Sequence, residues 1–92
     1  MNPQSGLERA FGRALREVRE SRGVSQEQLA LDANYDRTYI SLLERGTRSP
    51  TLRTVVELAE VLNVQPSEII RRMETTLAEA QKRQARGKDY PE

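Results

Sequence analysis

Residues 24–46, VSQEQLALDANYDRTYISLLERG, decide how this chain folds, because they encode two short helices joined by a tight turn. Ser25 is a strong helix N-cap, and Gln28 three residues later completes a capping box. Asn34 suits the end of this helix, since asparagine tolerates a left-handed backbone conformation. We therefore predict that the first helix of the pair covers residues 26–33.

The second helix of the pair has an apolar face and a polar face. Asp36 is its predicted N-cap, and Gly46 is predicted to end it. Ile40 and Leu43 lie three residues apart and are expected to point inward. The opposite face consists of side chains that form hydrogen bonds, namely Arg37, Thr38, Ser41 and Arg45.

Apolar residues that recur at steps of three and four predict three more helices around this pair. They cover residues 7–22, residues 52–62 and the chain from Pro66 onward. Gly12 lies inside the first of them, where glycine costs about 1 kcal/mol relative to alanine. No stretch has the alternation of a strand. We predict an all-α, compact five-helix domain at residues 7–72, with a flexible tail at 1–6 and a C-terminal helical extension with a frayed end at 73–92.

The composition excludes several classes of chemistry. The 92 residues contain no cysteine and no histidine, so thiol nucleophiles, disulfides and the commonest metal ligands and general bases are absent. Helix capping explains the serines, and solvated helix faces explain the carboxylates. We therefore expect no enzyme activity, no metal and no cofactor. Without cysteine or an apolar run of membrane-spanning length, the chain is expected to work in the cytoplasm.

Positive charge is concentrated in one part of the chain. The net charge is only +1, but residues 37–53 contain four arginines and one acidic residue, Glu44. Such a window has two interpretations. It is either an ordinary solvated surface or the place where a nucleic-acid backbone is bound.

The polar face of the second helix favours binding to DNA, because an α-helix is narrow enough to enter the major groove. Arg37 can donate two hydrogen bonds to guanine, worth about 1–3 kcal/mol of discrimination. Thr38 and Ser41 can bond to bases or touch a thymine methyl group. Leu42 lies near this face, where it either meets a thymine methyl group or packs beside Leu43.

At these residues the chain resembles the lambda-repressor-like (Cro/cI), xenobiotic-response-element type of helix-turn-helix transcription regulators. The run DRTYIS at residues 36–41 resembles in particular the controller proteins of restriction–modification systems. The matching segments are SQEQLA at 25–30, DRTYIS at 36–41, LERG at 43–46 and PTL at 50–52, followed by Leu58, Ala59, Leu62 and Val64.

The resemblance implies that residues 37–45 form the recognition helix. Gln26 falls where the family contacts phosphate and braces this helix, although an ordinary exposed residue is the alternative. Tyr39 matches an aromatic residue that packs on DNA, and a core tyrosine is the alternative. Thr47 is either a backbone contact or a plain loop residue. The predicted DNA-binding residues are Gln26, Arg37, Thr38, Tyr39, Ser41, Leu42, Arg45, Thr47 and Arg48, of which Arg45 and Arg48 are expected near phosphates.

The resemblance also implies a buried ion pair between Arg19 and Glu44, which would tie the first helix to the end of the third. The chain departs from the family in two places. Asn34 replaces the glycine that is usual in the turn, and the last helix is longer than the minimal domain.

Members of this family usually act as pairs, so the resemblance predicts a homodimer on a pseudo-palindromic operator in double-stranded DNA. The interface candidates are apolar residues in excess of the core, with core packing as their alternative: Val56, Ile69, Ile70, Met73 and Leu77. Of Ile69 and Ile70, one is expected in the core. Activation would also need contact with RNA polymerase. The alternative function is an antitoxin-type or other protein-interaction module that binds a protein partner through residues 73–88.

Overall fold

The computed structural model describes residues 6–87, with side chains described as far as residue 83. Five α-helices account for most of these residues. This part of the chain contains no strand, so the predicted all-α five-helix fold is confirmed. Residues 1–5 and 88–92, which include most of the predicted tail and the frayed end, lie outside the described residues. The helices are α1 (Gly6–Ser21), α2 (Gln26–Ala33), α3 (Arg37–Glu44), α4 (Leu52–Val61) and α5 (Pro66–Gly87).

Short polar side chains set the starts of the helix pair. Ser25 Oγ accepts a hydrogen bond from the backbone N–H of Gln28 at 3.0 Å. Asp36 accepts one from the backbone N–H of Thr38 at 3.1 Å. Between the two helices, Asn34 adopts the left-handed conformation with φ 62° and ψ 44°. The glycine that is usual in this turn is therefore replaced by asparagine, a residue type that tolerates the left-handed conformation.

The core lies where α1 and α5 pack side by side against the other three helices. The end of α1 is also tied to the loop before α5, because the Arg22 guanidinium donates to the carbonyl oxygens of Leu62 and Asn63 at 2.9 and 2.6 Å. The largest fully buried side chains are contributed by all five helices: Leu15, Val18, Leu29, Ile40, Leu43, Leu58 and Ile69.

The path of α5 corrects part of the predicted dimer interface. Ile69 is 0% exposed and Met73 is 9% exposed, because their side of α5 is packed on the core. Leu77 is half-buried on the same side. Ile69 and Met73 are therefore core residues and offer almost no surface to a partner. Val56 and Ile70 remain exposed.

α5 continues without a break past the predicted domain boundary at residue 72. Leu77 packs on the core, and its Cδ2 atom would lie 3.8 Å from a Cβ atom built on Gly6 at the start of α1. Beyond it, Ala78, Glu79 and residues 81–83 are exposed. Within residues 6–87, no helix combines the length and the apolar content needed to cross a bilayer.

Gly12 permits a close approach between α1 and the end of α3. A Cβ atom at this position would lie 2.4 Å from the carbonyl oxygen of Leu43 and 2.5 Å from that of Glu44. These distances are far below van der Waals contact, and both neighbours are backbone atoms that cannot rotate away. The glycine in the middle of α1 is therefore a packing requirement, which offsets its unfavourable helix propensity.

Replacing Gly12 with alanine is expected to lower the free energy of unfolding by about 1–3 kcal/mol, because overpacking forces the two helices apart. Helix propensity alone predicts the opposite sign, a gain of about 1 kcal/mol. Urea denaturation followed by circular dichroism measures the difference. Gly6→Ala is the matched control, since the nearest atom to its new Cβ lies 3.8 Å away. A Gly12→Ala protein as stable as the wild type would contradict the close approach.

Candidate nucleic-acid interface

The outer face of α3 is open to solvent, while its inner face is anchored in the core. Ile40 and Leu43 are both fully buried. Arg37 and Thr38 at the start of the helix are exposed, and so is Arg45 at its C-terminal end. Two further predicted residues, Ser41 and Leu42, are half-buried. The burial of the inner face leaves α3 with a fixed orientation and presents the predicted base-reading residues outward.

Three arginines on and after α3 form no ion pair with any carboxylate of residues 6–83: Arg37, Arg45 and Arg48. In contrast, Arg53 Nη1 lies 3.8 Å from Glu57 Oε2. The positive charge predicted for residues 37–53 is therefore concentrated on the α3 side of the window. Guanidinium groups without carboxylate partners are suited to binding phosphate oxygens.

Tyr39 connects this surface to the core. Its ring stacks on the ring of Tyr35, with 5.4 Å between the centroids and 29° between the planes. The Cζ atom of Arg48 lies 5.6 Å from the centroid of the Tyr39 ring, which is the geometry of a cation–π contact. Tyr39 is half-buried and packs against the core cluster. The inward packing of Tyr39 agrees with the core alternative, and its contact with DNA stays a prediction.

Tyr35 anchors this aromatic stack to α4, a role that the sequence did not reveal. Its hydroxyl donates to Glu57 Oε1 at 2.5 Å and lies 3.3 Å from Thr54 Oγ1. The hydrogen bond to Glu57 raises the pKa of the Tyr35 phenol, because the carboxylate favours the protonated form. The sequence signal for the aromatic stack is the spacing of Tyr35 and Tyr39, which are four residues apart. The sequence contains no signal for the hydrogen bond to α4.

Two of the predicted DNA-binding side chains have internal partners. The hydroxyl and the backbone N–H of Thr47 both donate to the carbonyl oxygen of Leu42 at 3.1 Å, which closes the chain over the end of α3. The amide nitrogen of Gln26 donates to Glu44 Oε1 at 2.9 Å. Both contacts hold the ends of the helix pair in place.

A buried ion pair joins α1 to the end of α3. Arg19 Nε lies 2.6 Å from Glu44 Oε2, and Arg19 Nη2 lies 3.0 Å from Glu44 Oε1, so the pair is bidentate. The two side chains are only 10% and 4% exposed. Arg19 also donates to the carbonyl oxygen of Val24 at 2.8 Å. The hydrogen bond with Glu44 raises the pKa of Arg19.

Glu44 is the centre of this network, because it accepts hydrogen bonds from both Arg19 and Gln26. The network links the end of α1, the start of α2 and the end of α3. Among the side chains of residues 6–83, no buried nitrogen or oxygen lacks a hydrogen-bond partner. The orientation of α3 is therefore set by satisfied polar contacts as well as by apolar packing.

Residues 15–69 match the helix-turn-helix family HTH_3, and this match covers the whole of α2, α3 and α4. The chain belongs to this family. The match confirms the resemblance found in the sequence. The family and the matched relatives are DNA-binding regulators.

Individual relatives agree with this assignment. The control protein C.BamHI of Bacillus amyloliquefaciens is 41% identical over 61 residues, which span 65% of this chain and 75% of that protein. The restriction–modification controller protein C.AhdI of Aeromonas hydrophila superposes with a TM-score of 0.66 at 40% identity, over 67% of this chain and 94% of the other. The clp gene regulator ClgR of Corynebacterium glutamicum superposes with a TM-score of 0.79 at 27% identity, over 90% of each chain.

Glu44→Ala is expected to lower the free energy of unfolding by about 3–5 kcal/mol, because it leaves the Arg19 guanidinium buried without its partner. Thermal unfolding followed by circular dichroism measures this loss. Glu20→Ala is the control, since Glu20 pairs with Arg16 on the exposed side of α1. That surface pair is worth at most about 0.5 kcal/mol. A Glu44→Ala protein with wild-type thermal stability would show that the ion pair does not hold the helices together.

Proposed function

We propose that this chain is a sequence-specific regulator of transcription that binds double-stranded DNA as a homodimer, on a pseudo-palindromic operator. The observation that carries the proposal is the exposed face of α3, where Arg37, Thr38 and Arg45 stand outward from a helix whose opposite face is fully buried. A rigid, outward-facing helix of this kind fits the major groove.

Arg37 and Thr38 read bases in this proposal, and Ser41 and Leu42 add contacts further along the helix. Arg37 is the first residue of α3, the end of a recognition helix that penetrates deepest into the groove. Its guanidinium is free of carboxylates within the described residues and can donate two hydrogen bonds to guanine.

Arg45 and Arg48 bind phosphates at the other end of α3. The stacking of Arg48 on Tyr39 limits the positions of its guanidinium before DNA arrives, which reduces the entropy lost on binding. Gln26 braces α3 through Glu44 and can bind phosphate through its remaining amide hydrogen. Thr47 shapes the turn beside these groups, since its hydroxyl and backbone N–H both donate to Leu42.

A second copy would use apolar residues that the fold leaves uncovered. Leu52 is 84% exposed, Val56 50% and Ile70 40%, on α4 and α5. Leu52 and Ile70 line one apolar groove together with Leu7, Phe11 and Met73. Burial of such residues against a second copy would supply the driving force for association. Two recognition helices would then lie about 34 Å apart, one turn of DNA.

The simplest mechanism is repression, in which the bound dimer covers a promoter in the cytoplasm. Activation would require an additional surface for RNA polymerase. The name of C.AhdI, a restriction–modification controller protein, supports control of such a system as the physiological role. The antitoxin alternative has less support, because the C-terminal segment on which it depends is already helical as far as Gly87 in the single chain.

Selection from a random DNA pool is expected to yield one pseudo-palindromic sequence, and variants then separate the roles of the arginines. Arg37→Ala should lose about 1–3 kcal/mol on the selected site and little on random DNA, because it removes a base contact. Arg48→Ala should weaken both by a similar factor and reduce the salt dependence of binding. Equal losses on both DNAs for Arg37→Ala would overturn its assigned role. Failure to select any sequence would overturn the proposed function.

Leu52→Glu and Ile70→Glu are each expected to raise the dimer dissociation constant at least about tenfold, because either change places a charge in an apolar interface. Sedimentation equilibrium without DNA measures this effect. Leu31→Glu is the control, since Leu31 is an exposed leucine on α2, outside the groove. A wild-type protein that is monomeric at tens of micromolar would overturn the homodimer.

A further inference from the structure

Arg9, near the start of α1, lies directly against the turn that follows α3. Gly46 adopts a positive φ of 77° in this turn, and a Cβ atom there would lie 2.9 Å from Arg9 Cγ and 3.0 Å from Arg9 Cα. Gly46 follows Arg45 directly and precedes Arg48 by two residues. The backbone contact therefore brings a third arginine, from a distant part of the sequence, to the end of the recognition helix.

Arg9 also differs from the other exposed arginines of α1. Arg13 pairs with Glu17 and Arg16 pairs with Glu20, each at 3.1 Å and each with the residue four positions later. Arg9 is exposed, and it forms no ion pair with the side chains of residues 6–83. The residue four positions after it is Arg13, which carries the same charge.

We propose that Arg9 is part of the DNA-binding surface and binds a backbone phosphate beside those bound by Arg45 and Arg48. The inference rests on the proposed function and extends the interface from the helix pair to α1. Three positive groups without carboxylate partners around one turn repel each other in the free protein. A phosphate backbone relieves this repulsion and releases its condensed counterions.

The length of α3 supports this placement. Its eight residues span about 12 Å, which is close to the width of the major groove. When Arg37 at its start reaches the bases, the end near Arg45 lies at the edge of the groove, where the phosphates are. Arg9 is held at this same end by its contact with Gly46.

A purely structural role for Arg9 is the competing explanation. A cation near the C-terminal end of α3 interacts favourably with the helix dipole, so Arg9 would stabilise the fold without touching DNA. The two roles differ in what they change. A phosphate contact alters the salt dependence of DNA binding, whereas a dipole contact alters thermal stability alone.

The test measures the affinity of the full chain for its selected operator duplex and for a random duplex over a series of salt concentrations. Arg9→Ala is expected to weaken binding to both duplexes by a similar factor. It should also reduce the slope of log K against log[salt] by about 0.9 per protomer. Arg9→Lys should keep most of the slope, because it keeps the charge. Arg16→Ala is the matched control and should leave both the affinity and the slope unchanged.

Thermal unfolding of each variant is measured in parallel. An unchanged slope for Arg9→Ala overturns the proposal, and a lowered melting temperature in that case assigns Arg9 to the structural role. A loss confined to the operator duplex also overturns it, since phosphate contacts do not depend on sequence. If the wild type binds the duplexes and Arg9→Ala retains the wild-type slope, only this inference fails. If the wild type binds neither duplex, the proposed function fails with it.

Discussion

The bidentate contact between Arg19 and Glu44 is the interaction on which the geometry of this chain most depends. The Glu44 carboxylate contacts residues of two other helices, because it accepts hydrogen bonds from Arg19 on α1 and from Gln26 on α2. Arg19 also donates to the carbonyl oxygen of Val24. A pair this deeply buried adds little net stability over apolar packing, but breaking it leaves a buried charge without a partner. Together with the buried Ile40 and Leu43, it holds α3 in place against α1.

α1 also lies very close to the end of α3, and Gly12 makes this close approach possible. Helix backbones approach closely only where side chains are absent, and here two carbonyl oxygens occupy the space of the missing Cβ. The polar contact and the glycine are therefore parts of one arrangement. The same approach brings the start of α1 to the turn at Gly46, so that a residue of the first helix borders the end of α3.

The sequence predicted much of the fold, because local signals specify it. Ser25, Asn34 and Asp36 determine helix ends through their own backbone and side-chain preferences, and these do not depend on distant residues. Contacts between elements that are distant in the sequence were harder to predict. The burial of Met73 depends on which face of α5 meets α1, and the hydrogen bond of Tyr35 to Glu57 depends on where α4 lies. Leu52 was not recognised as an uncovered residue, because an apolar residue at a helix start is typical of a core position.

The Tyr35–Glu57 hydrogen bond has a consequence for how a dimer would measure DNA. It joins the aromatic stack under Arg48 to α4, the helix that carries the exposed residues Leu52 and Val56. In a dimer formed through α4 and α5, little flexible chain would then separate the subunit contact from the recognition helix. Such a dimer would bind only half-sites that are separated by one fixed distance. One base pair added between the half-sites would rotate one of them by about a tenth of a turn, and a dimer joined this rigidly would not follow it.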